Sequence, residues 1–527
     1  MIAFASLIER LTLTPGRLAK LALMQNFFAT EVDPDRGWAL AALTGELSFD
    51  AAKPATIRAL AEERTDATLF RWSYDFVGDL AETVSLIWSA ETVSHTPPSL
   101  AEVVAMLREV PKSEVPALLA GWLDSSGADV RYALLKLITG ALRAGVSARL
   151  AKTALAGFAA GNGLAIAPDD IEEVWHGLTP PYTPLFDWLT GRGSRPDPAD
   201  APVFRPPMLA HPLEAPDLAS LRPEEYAAEW KWDGIRVQLV AGPGGRRIFS
   251  RGADDISGSF PDIMEKLDFH AVLDGELLVA RDGIVAPFAE LQQRLNRKAP
   301  SAKMQADYPA SVRLYDILFD GTEDLRALDF AARRARLEAW FAQNRPARMD
   351  LSPLVPFDAI SELVSLRANA REAGIEGLML KRLDSTYVPG RPRGKWWKWK
   401  RDPLTLDCVL MYAQRGHGKR SSFYSDYTFG VWRDDDDLVP VGKAYSGYTD
   451  EELLRLDSWI RNHTVARFGP VREVERGLVL EVAFDAAQRS TRHKSGVALR
   501  FPRIARLRWD KPAAEADRLE TVMRLVQ

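Results

Sequence analysis

From residue 1 to about 190, apolar positions recur at intervals of three and four, a period that predicts helices throughout. PSLAEVVAMLREV, KSEVPALLAGWLD, DVRYALLKLITGALRAGV and SARLAKTALAGFAAGN show it most clearly, with Ser, Asp and Pro at the expected starts. The period stops at 189–207, LTGRGSRPDPADAPVFRPP, whose Pro, Gly and Asp content reads as a linker. Beyond it the period becomes two. IRVQLVA, RRIFSR and AVLDGELLVA alternate as strands, and GPGG at 242–245 makes a tight hairpin. The helical LDFAARRARLEAWFAQN intervenes, so the region to about 402 is α+β. From 403, LDCVLMYAQ, YTFGVWR, LVPVGKAY and LVLEVAFDAA are short strands around one helix, TDEELLRLDSWIRNH, which suggests a small barrel. The acid run at 434–437 is simplest as a solvated hairpin tip.

A chain of 527 residues has room for about three domains, and the pattern divides it at 1–205, 206–402 and 403–527. With 46% hydrophobic and 26% charged residues the balance is that of a folded protein, not a disordered one. No run of eighteen apolar residues is present, so no membrane-spanning helix is expected. The apolar start MIAFASLIERLTLTPGR is interrupted by Glu9 and Arg10 and lacks a basic leader, so it reads as a helix and not a targeting segment. The single cysteine, Cys408, excludes a disulfide framework and a multi-cysteine zinc site and points to a reducing cytoplasm. Seven histidines without metal spacing leave a hard cation on oxygen ligands as the metal chemistry still open.

The net charge of -5 argues against a nucleic-acid partner until its distribution is read. Residues 1–205 hold 18 basic against 25 acidic residues, and the remainder 49 against 47. Within that remainder, 381–401 and 488–511 each carry eight basic residues and one acid. Two dense cationic segments on a near-neutral chain indicate polyanion contacts at particular places.

One lysine raises a chemical question. In EWKWDGIRVQL, 229–239, Lys231 stands between Trp230 and Trp232 and is followed by the turn-forming pair Asp233-Gly234. Either it is a strand lysine whose head reaches solvent, or it is desolvated so that it loses its proton and becomes a nucleophile. A P-loop does not supply the phosphate site, because GHGKRSS lacks the Walker A spacing. In KWWKWK, Lys398 and Lys400 alternate with Trp397 and Trp399, so a strand would put both ammonium groups on one face and the indoles on the other. Tyr315 in LYDILF suits a purine face as well as it suits a core.

The order of these features decides. Glu229-Trp-Lys231-Trp-Asp233-Gly234-Ile-Arg236 is followed by FSRG with Arg251 and LDGEL with Asp274 and Glu276. VRLYDILF with Tyr315, EGLMLK with Glu376 and Lys381, KWWKWK, and LRFPRIARLRWDK with Arg508, Asp510 and Lys511 complete the series. Seven ordered blocks over about 280 residues closely resemble motifs I, Ia, III, IIIa, IV, V and VI of the ATP-dependent DNA ligases of the nucleotidyltransferase superfamily. SYDFVGDLAETVSLIW and ALLKLITGALRAGVSARL resemble, more loosely, the helical DNA-binding domain that many such ligases carry first.

The resemblance implies a multidomain α+β protein: an all-α DNA-binding domain, an α+β adenylylation domain and a C-terminal OB-fold barrel. It implies that Lys231 attacks the α-phosphorus of ATP and holds AMP, its pKa lowered by burial and neighbouring cations. Lys398 and Lys400 would grip phosphate and Tyr315 would stack on adenine. Glu229 would read the adenine amino group, largely through its backbone. Arg236, Arg251 and Arg393 would hold ribose or phosphate, Arg393 being hard to separate from Arg391. Glu276 and Glu376, expected at strand ends, would take ribose or a divalent metal, magnesium or alternatively manganese. Arg508 and Lys511 would close over ATP and orient pyrophosphate, or else form a DNA-facing strand. Lys136, Arg143 and Arg149, with Gly140 and Gly145, would lie on duplex phosphates. The implied partner is nicked duplex DNA, met by a monomer, with no membrane. An RNA ligase or capping enzyme, or a DNA clamp on a decayed ligase core, is the alternative. The NAD-dependent ligases need a four-cysteine zinc module that one cysteine cannot build.

Overall fold

The structure is a computed structural model and describes residues 1–47, 49, 52–89, 96–140, 142, 144–197, 202–295, 297, 299–370, 374–415, 423–434, 437–491 and 493–526. Among these, twelve helices from Ile2–Leu13 to Thr183–Leu189 enclose an apolar core drawn wholly from residues 1–189. The three-to-four spacing explains it: the first helix turns Phe4, Leu7, Ile8 and Leu11 inward together. One expected helix is shorter than its apolar period. The helix Ala128–Ile138 stops before Gly140, and the next, Ala148–Gly161, begins after Gly145 with Ser147 as its cap. Gly140 and Gly145 have φ of +65° and +63°, a backbone state that ends a helix whatever the neighbouring side chains prefer. No helix among the described residues is long and apolar enough to cross a membrane.

The middle of the chain forms two sheets. The strands used below are β1 (Tyr226–Trp232), β2 (Ile235–Gly242), β3 (Gly245–Ser250), β4 (Ala271–Arg281), β5 (Ala310–Asp320), β6 (Ile375–Arg382) and β7 (Trp396–Lys400). In the first sheet β6 lies between β1 and β7 and pairs antiparallel with both. In the second, β2 lies between β3 and β4, and β5 follows β4. GPGG closes the β2–β3 hairpin, with Gly242 opposite Gly245. Asp233-Gly234 does not close one. It carries the chain from the first sheet into the second, because β1 and β2 pair with different partners. Gly234 is required at that seam: a Cβ there would lie 2.5 Å from the Leu277 carbonyl oxygen and 2.8 Å from Glu276 Cγ.

The C-terminal strands are β8 (Leu404–Arg415), β9 (Tyr424–Trp432), β10 (Leu438–Ala444), β11 (Val471–Val474), β12 (Val479–Phe484), β13 (Val497–Arg500) and β14 (Arg503–Arg508). β8 pairs with β9, β11 and β12, and together they enclose a separate core that includes Cys408, Tyr427, Phe429 and Phe484. The helix Asp450–Asn462 starts at Thr449, whose hydroxyl accepts from the Glu452 amide while Glu452 accepts from the Thr449 amide. The acid run joins antiparallel β9 and β10, and its residues 435–436 lie outside the described residues.

The seam is testable. Gly234→Ala should lower stability by about 2 kcal/mol or more, since the new methyl meets backbone that cannot move aside, and thermal denaturation beside wild type reads it.

Candidate active site

Where the two sheets face each other they leave a cavity of about 350 Å³. Its walls are drawn from β1, β2, β4, β5, β6 and β7, and from the turn after β3. Lys231, Arg236, Arg251, Glu276, Tyr315 and Lys398 all line it, so residues spread over 168 positions of sequence converge on one space.

Lys231 sits on β1 opposite Gly377 of β6, a register that places Glu376 beside it. Its Nζ lies 2.8 Å from Glu376 Oε2, and the side chain is 21% exposed. The expected nucleophile is therefore ion-paired with a carboxylate, not stranded among tryptophans and cations. The lysine that burial and the fields of Arg391, Lys231 and Arg251 push below its usual range is Lys398. Lys400 Nζ is 3.3 Å from the same Glu376 oxygen. Glu376 is half-buried, and desolvation alone would raise it, but the Lys231 and Lys400 ammonium groups hold it well below the usual carboxylate range.

Two more acids complete the cluster. Burial pushes Glu276 up to about 8: Lys231 and Arg236 pull it down, while Glu376 and Asp233 push it up. Asp233 is also raised by burial, although Arg500 donates to it through both terminal nitrogens, at 2.9 Å for Nη2 to Oδ1. Glu276 does not lie at a strand end. It is in the middle of β4, opposite Arg236 on one side and Arg313 on the other, so its carboxyl is fixed by two neighbouring strands. Among the described residues no group of three His, Cys, Asp or Glu is arranged to hold a metal unaided. The donor chemistry still fits magnesium: a buried carboxyl without its own cation, beside a second carboxylate, suits an ion that completes its shell with water and substrate phosphates.

The adenine end is built on a buried ion pair. Lys381 donates to both Glu229 oxygens at 3.1 Å and to the Tyr315 carbonyl at 3.3 Å. Its ammonium lies 4.5 Å from the Tyr315 ring centroid and 4.9 Å from those of Phe330 and Trp396. The Glu229 side chain is thus consumed inside the protein, and Met379 and Leu354 stand opposite it on the strands to either side. Tyr315 is half-buried on β5. Arg236 donates to Met208 O at 2.5 Å, Asp274 at 2.6 Å and Tyr387 at 3.1 Å, so its fork is held internally, under the Tyr315 ring. On β7, Lys398 faces the cavity while Trp397 and Trp399 pack into an apolar cluster on the other side.

Several expected positions move. Lys136 is only 6% exposed and ion-paired with Asp79, so it is part of the helical interior and not of a duplex-facing surface. Arg143 lies outside the described residues. Arg149 is 65% exposed, as a surface role requires. Of Arg391 and Arg393, Arg391 is the guanidinium whose charge acts on both Arg251 and Lys398, and neither lines the cavity. Arg508 and Lys511 do not reach the cavity. Both turn to Asp407 on β8, at 3.4 Å and 2.7 Å. Arg500 makes the cross-contact instead, through Asp233 and 4.2 Å from the Phe288 ring centroid. Lys381, Asp233, Asp274 and Tyr387 had no assigned role in the sequence. The first three stand within the quoted blocks, but only their spatial partners reveal what they do.

The sequence pattern described as "ATP dependent DNA ligase domain" matches residues 207–400, and that described as "ATP dependent DNA ligase C terminal region" matches 420–511. A "Probable DNA ligase" of Koribacter versatilis is 33% identical over 99% of this chain and 95% of its own length. A "DNA ligase 1" of Korarchaeum cryptofilum is 30% identical over 99% and 97%. The solved structure named Pmar-Lig_Pre matches 96% of this chain and 99% of its own, at TM-score 0.58 and 17% identity, a likeness of fold.

Two outcomes follow from the buried charges. Glu276 has a folded pKa above its unfolded one, so the folded state binds the extra proton and stability is lost as pH rises from about 4.5 to about 8. Glu276→Gln should remove that slope and gain on wild type toward pH 8, measured by thermal denaturation in chelator. Lys381→Met should cost about 3–5 kcal/mol by leaving Glu229 buried without its partner, and Glu229→Leu added to it should restore most of the loss.

Proposed function

As the chain belongs to the ATP-dependent DNA ligase family, we propose that it joins a 5′-phosphate to an adjacent 3′-hydroxyl in nicked duplex DNA through Lys231. The observation that carries this is a single cavity holding Lys231, Glu276, Tyr315 and Lys398 from four separate strands. Lys231 leaves its pair with Glu376, loses its proton and attacks the α-phosphorus of ATP. The bond to the bridging oxygen breaks, pyrophosphate departs, and AMP stays on Nζ as a phosphoramidate. An oxygen of the 5′-phosphate then displaces the lysine, and the 3′-oxygen displaces AMP.

The other residues align and neutralise, which is most of what phosphoryl transfer needs. Tyr315 stacks on adenine above the Lys381–Glu229 pair, and the Glu229 backbone reads the amino group. Lys398, Lys400, Arg251 and Arg391 carry the phosphate charge, and Arg236 holds the ribose side of the pocket. Glu276 and Glu376 would hold magnesium, or manganese in its place, which when bound offsets phosphate charge. Their own part is to fix its position, because both are anchored in strands. We assign residues 1–205 to a helical DNA-binding domain, 206–402 to adenylylation and 403–527 to an OB-type barrel, acting as a monomer. Arg508 and Lys511, now tied to Asp407, act on pyrophosphate after the barrel turns and exchanges the Arg500–Asp233 contact for theirs.

Lys231→Ala should abolish covalent labelling by α-labelled ATP while nick binding persists; normal labelling would remove the central assignment. Lys511→Ala should slow self-adenylylation and spare sealing of a pre-adenylylated nick. The reverse pattern would make the final block a DNA-binding element.

A further inference from the structure

Arg236 does not take the carboxylate that its register offers. On β2 and β4, Arg236 stands opposite Glu276 and Gln238 opposite Asp274, so the four side chains share one face of the sheet. Directly opposed residues have Cβ atoms about 4.5–5.5 Å apart and diagonal neighbours are about 7–8 Å apart, so Glu276 is the nearer acid by sheet geometry. Arg236 nevertheless reaches along the diagonal, and its Nη2 donates to Asp274 Oδ2 at 2.6 Å. Glu276 is left with no cation in ion-pair distance among the described residues.

Two acceptors outside the sheet account for the choice. Arg236 Nη1 donates to the Met208 carbonyl at 2.5 Å, and Nη2 donates to the Tyr387 hydroxyl at 3.1 Å. That hydroxyl donates in turn to Asp274 Oδ2 at 2.6 Å, so guanidinium, phenol and carboxylate are each bonded to the other two. A hydroxyl accepts from the cation and donates to the anion at the same moment, which neither a carbonyl nor an ammonium group can do. Tyr387 lies outside all seven blocks, in the segment 383–395 between β6 and β7, and does not line the cavity. Contacts of its own fix its position. Its ring meets the Trp396 ring edge-on at 6.0 Å, and its amide donates to the Arg326 carbonyl at 2.9 Å. Further along the same segment, Gly390 accepts from the Leu209 amide at 2.6 Å and donates to the Pro207 carbonyl at 3.1 Å. The segments bearing Tyr387 and Met208 are therefore bonded to each other, and Arg236 is held where they meet.

We infer that Tyr387 is a positioning residue: its hydroxyl holds Arg236 on Asp274 and so keeps Glu276 open for the divalent cation. This role rests on the ligase reading above, in which Glu276 takes magnesium, and adds what prevents an internal guanidinium from occupying that carboxylate. Without the hydroxyl, Nη2 loses one acceptor and Asp274 one donor, and Glu276 is the acid directly across the strand. Arg236 would then compete with magnesium for it.

The test compares the full-length enzyme with Tyr387→Phe, which keeps the ring against Trp396 and removes the hydroxyl alone. A crystal structure of the variant grown in chelator should place the Arg236 guanidinium on Glu276. Self-adenylylation with α-labelled ATP, at rising free magnesium, should need about tenfold more magnesium for half the limiting rate. The limiting rate itself should stay within about twofold, because saturating metal displaces the guanidinium. The half-saturating concentration does not depend on how much of the sample is folded, so a less stable variant reads as well. Arg236→Gln removes the competitor. In that background Tyr387→Phe should leave the magnesium requirement where Arg236→Gln alone puts it. If the guanidinium stays on Asp274 in the variant, or wild type and variant need equal magnesium, the inference is overturned while the ligase reading stands. A higher requirement that persists with Arg236→Gln would show that the hydroxyl does not act through Arg236, and overturns it too. Wild type that takes no label from ATP would strike the ligase reading and, with it, this role.

Discussion

The chemistry of this protein depends on one ion pair, Lys231 with Glu376, and on the acids that crowd it. An ammonium group that faces Glu376 and acts on Glu276, with Asp233 beside them, cannot satisfy all three carboxyls. Glu376 takes the charge of Lys231 and Lys400 and is held low, while Glu276 and Asp233 are left raised. That imbalance prepares the site for cations and phosphates together. Lys398, Arg251 and Arg391 in turn repel one another, and burial together with Arg391 weakens the hold of Lys398 and Arg251 on a proton.

The architecture serves this pair by linking two sheets that face each other through a single short crossing. Lys231 and Glu376 belong to the first sheet, Glu276 and Tyr315 to the second, and Asp233-Gly234 is the covalent link between them. Because Gly234 packs against the Leu277 carbonyl, the crossing is tight. The same link is where the C-terminal region touches the site, since Asp233 accepts from Arg500. One aspartate therefore responds both to the acid cluster and to the position of the barrel.

The helical region follows a different rule. Its interior uses cations as structural parts: Lys136 with Asp79, Lys152 with Glu172, and Arg131 donating to the Leu123 and Trp88 carbonyls. Counting charges along such a segment says little about its surface. Arg17, Lys20 and Arg149, which lie apart in sequence, meet only because two helices pack at their amino ends.

How much of this could be read in advance depends on the range of the forces involved. Periods of three to four and of two are local consequences of backbone geometry, so the helices of 1–189, the GPGG hairpin and the alternation of Lys398 and Lys400 with Trp397 and Trp399 were legible from the chain alone. The ordered blocks likewise identified Lys231, Arg236, Arg251, Glu276, Tyr315 and Lys398, which line the cavity, although Arg508 and Lys511 of the last block turn to Asp407 instead. The sequence could not show which partner each charge would take. Lys231 beside Glu376, Glu229 spent on Lys381 and Lys136 buried on Asp79 are all settled by contacts between segments far apart in the chain. The seam at Asp233-Gly234 is the clearest case. Locally it is a turn, and whether a turn folds a strand back or passes it to another sheet is decided by strand pairing elsewhere. Electrostatic and hydrogen-bond partners act over a few ångströms of space and ignore distance along the sequence, so only the tertiary structure could assign them.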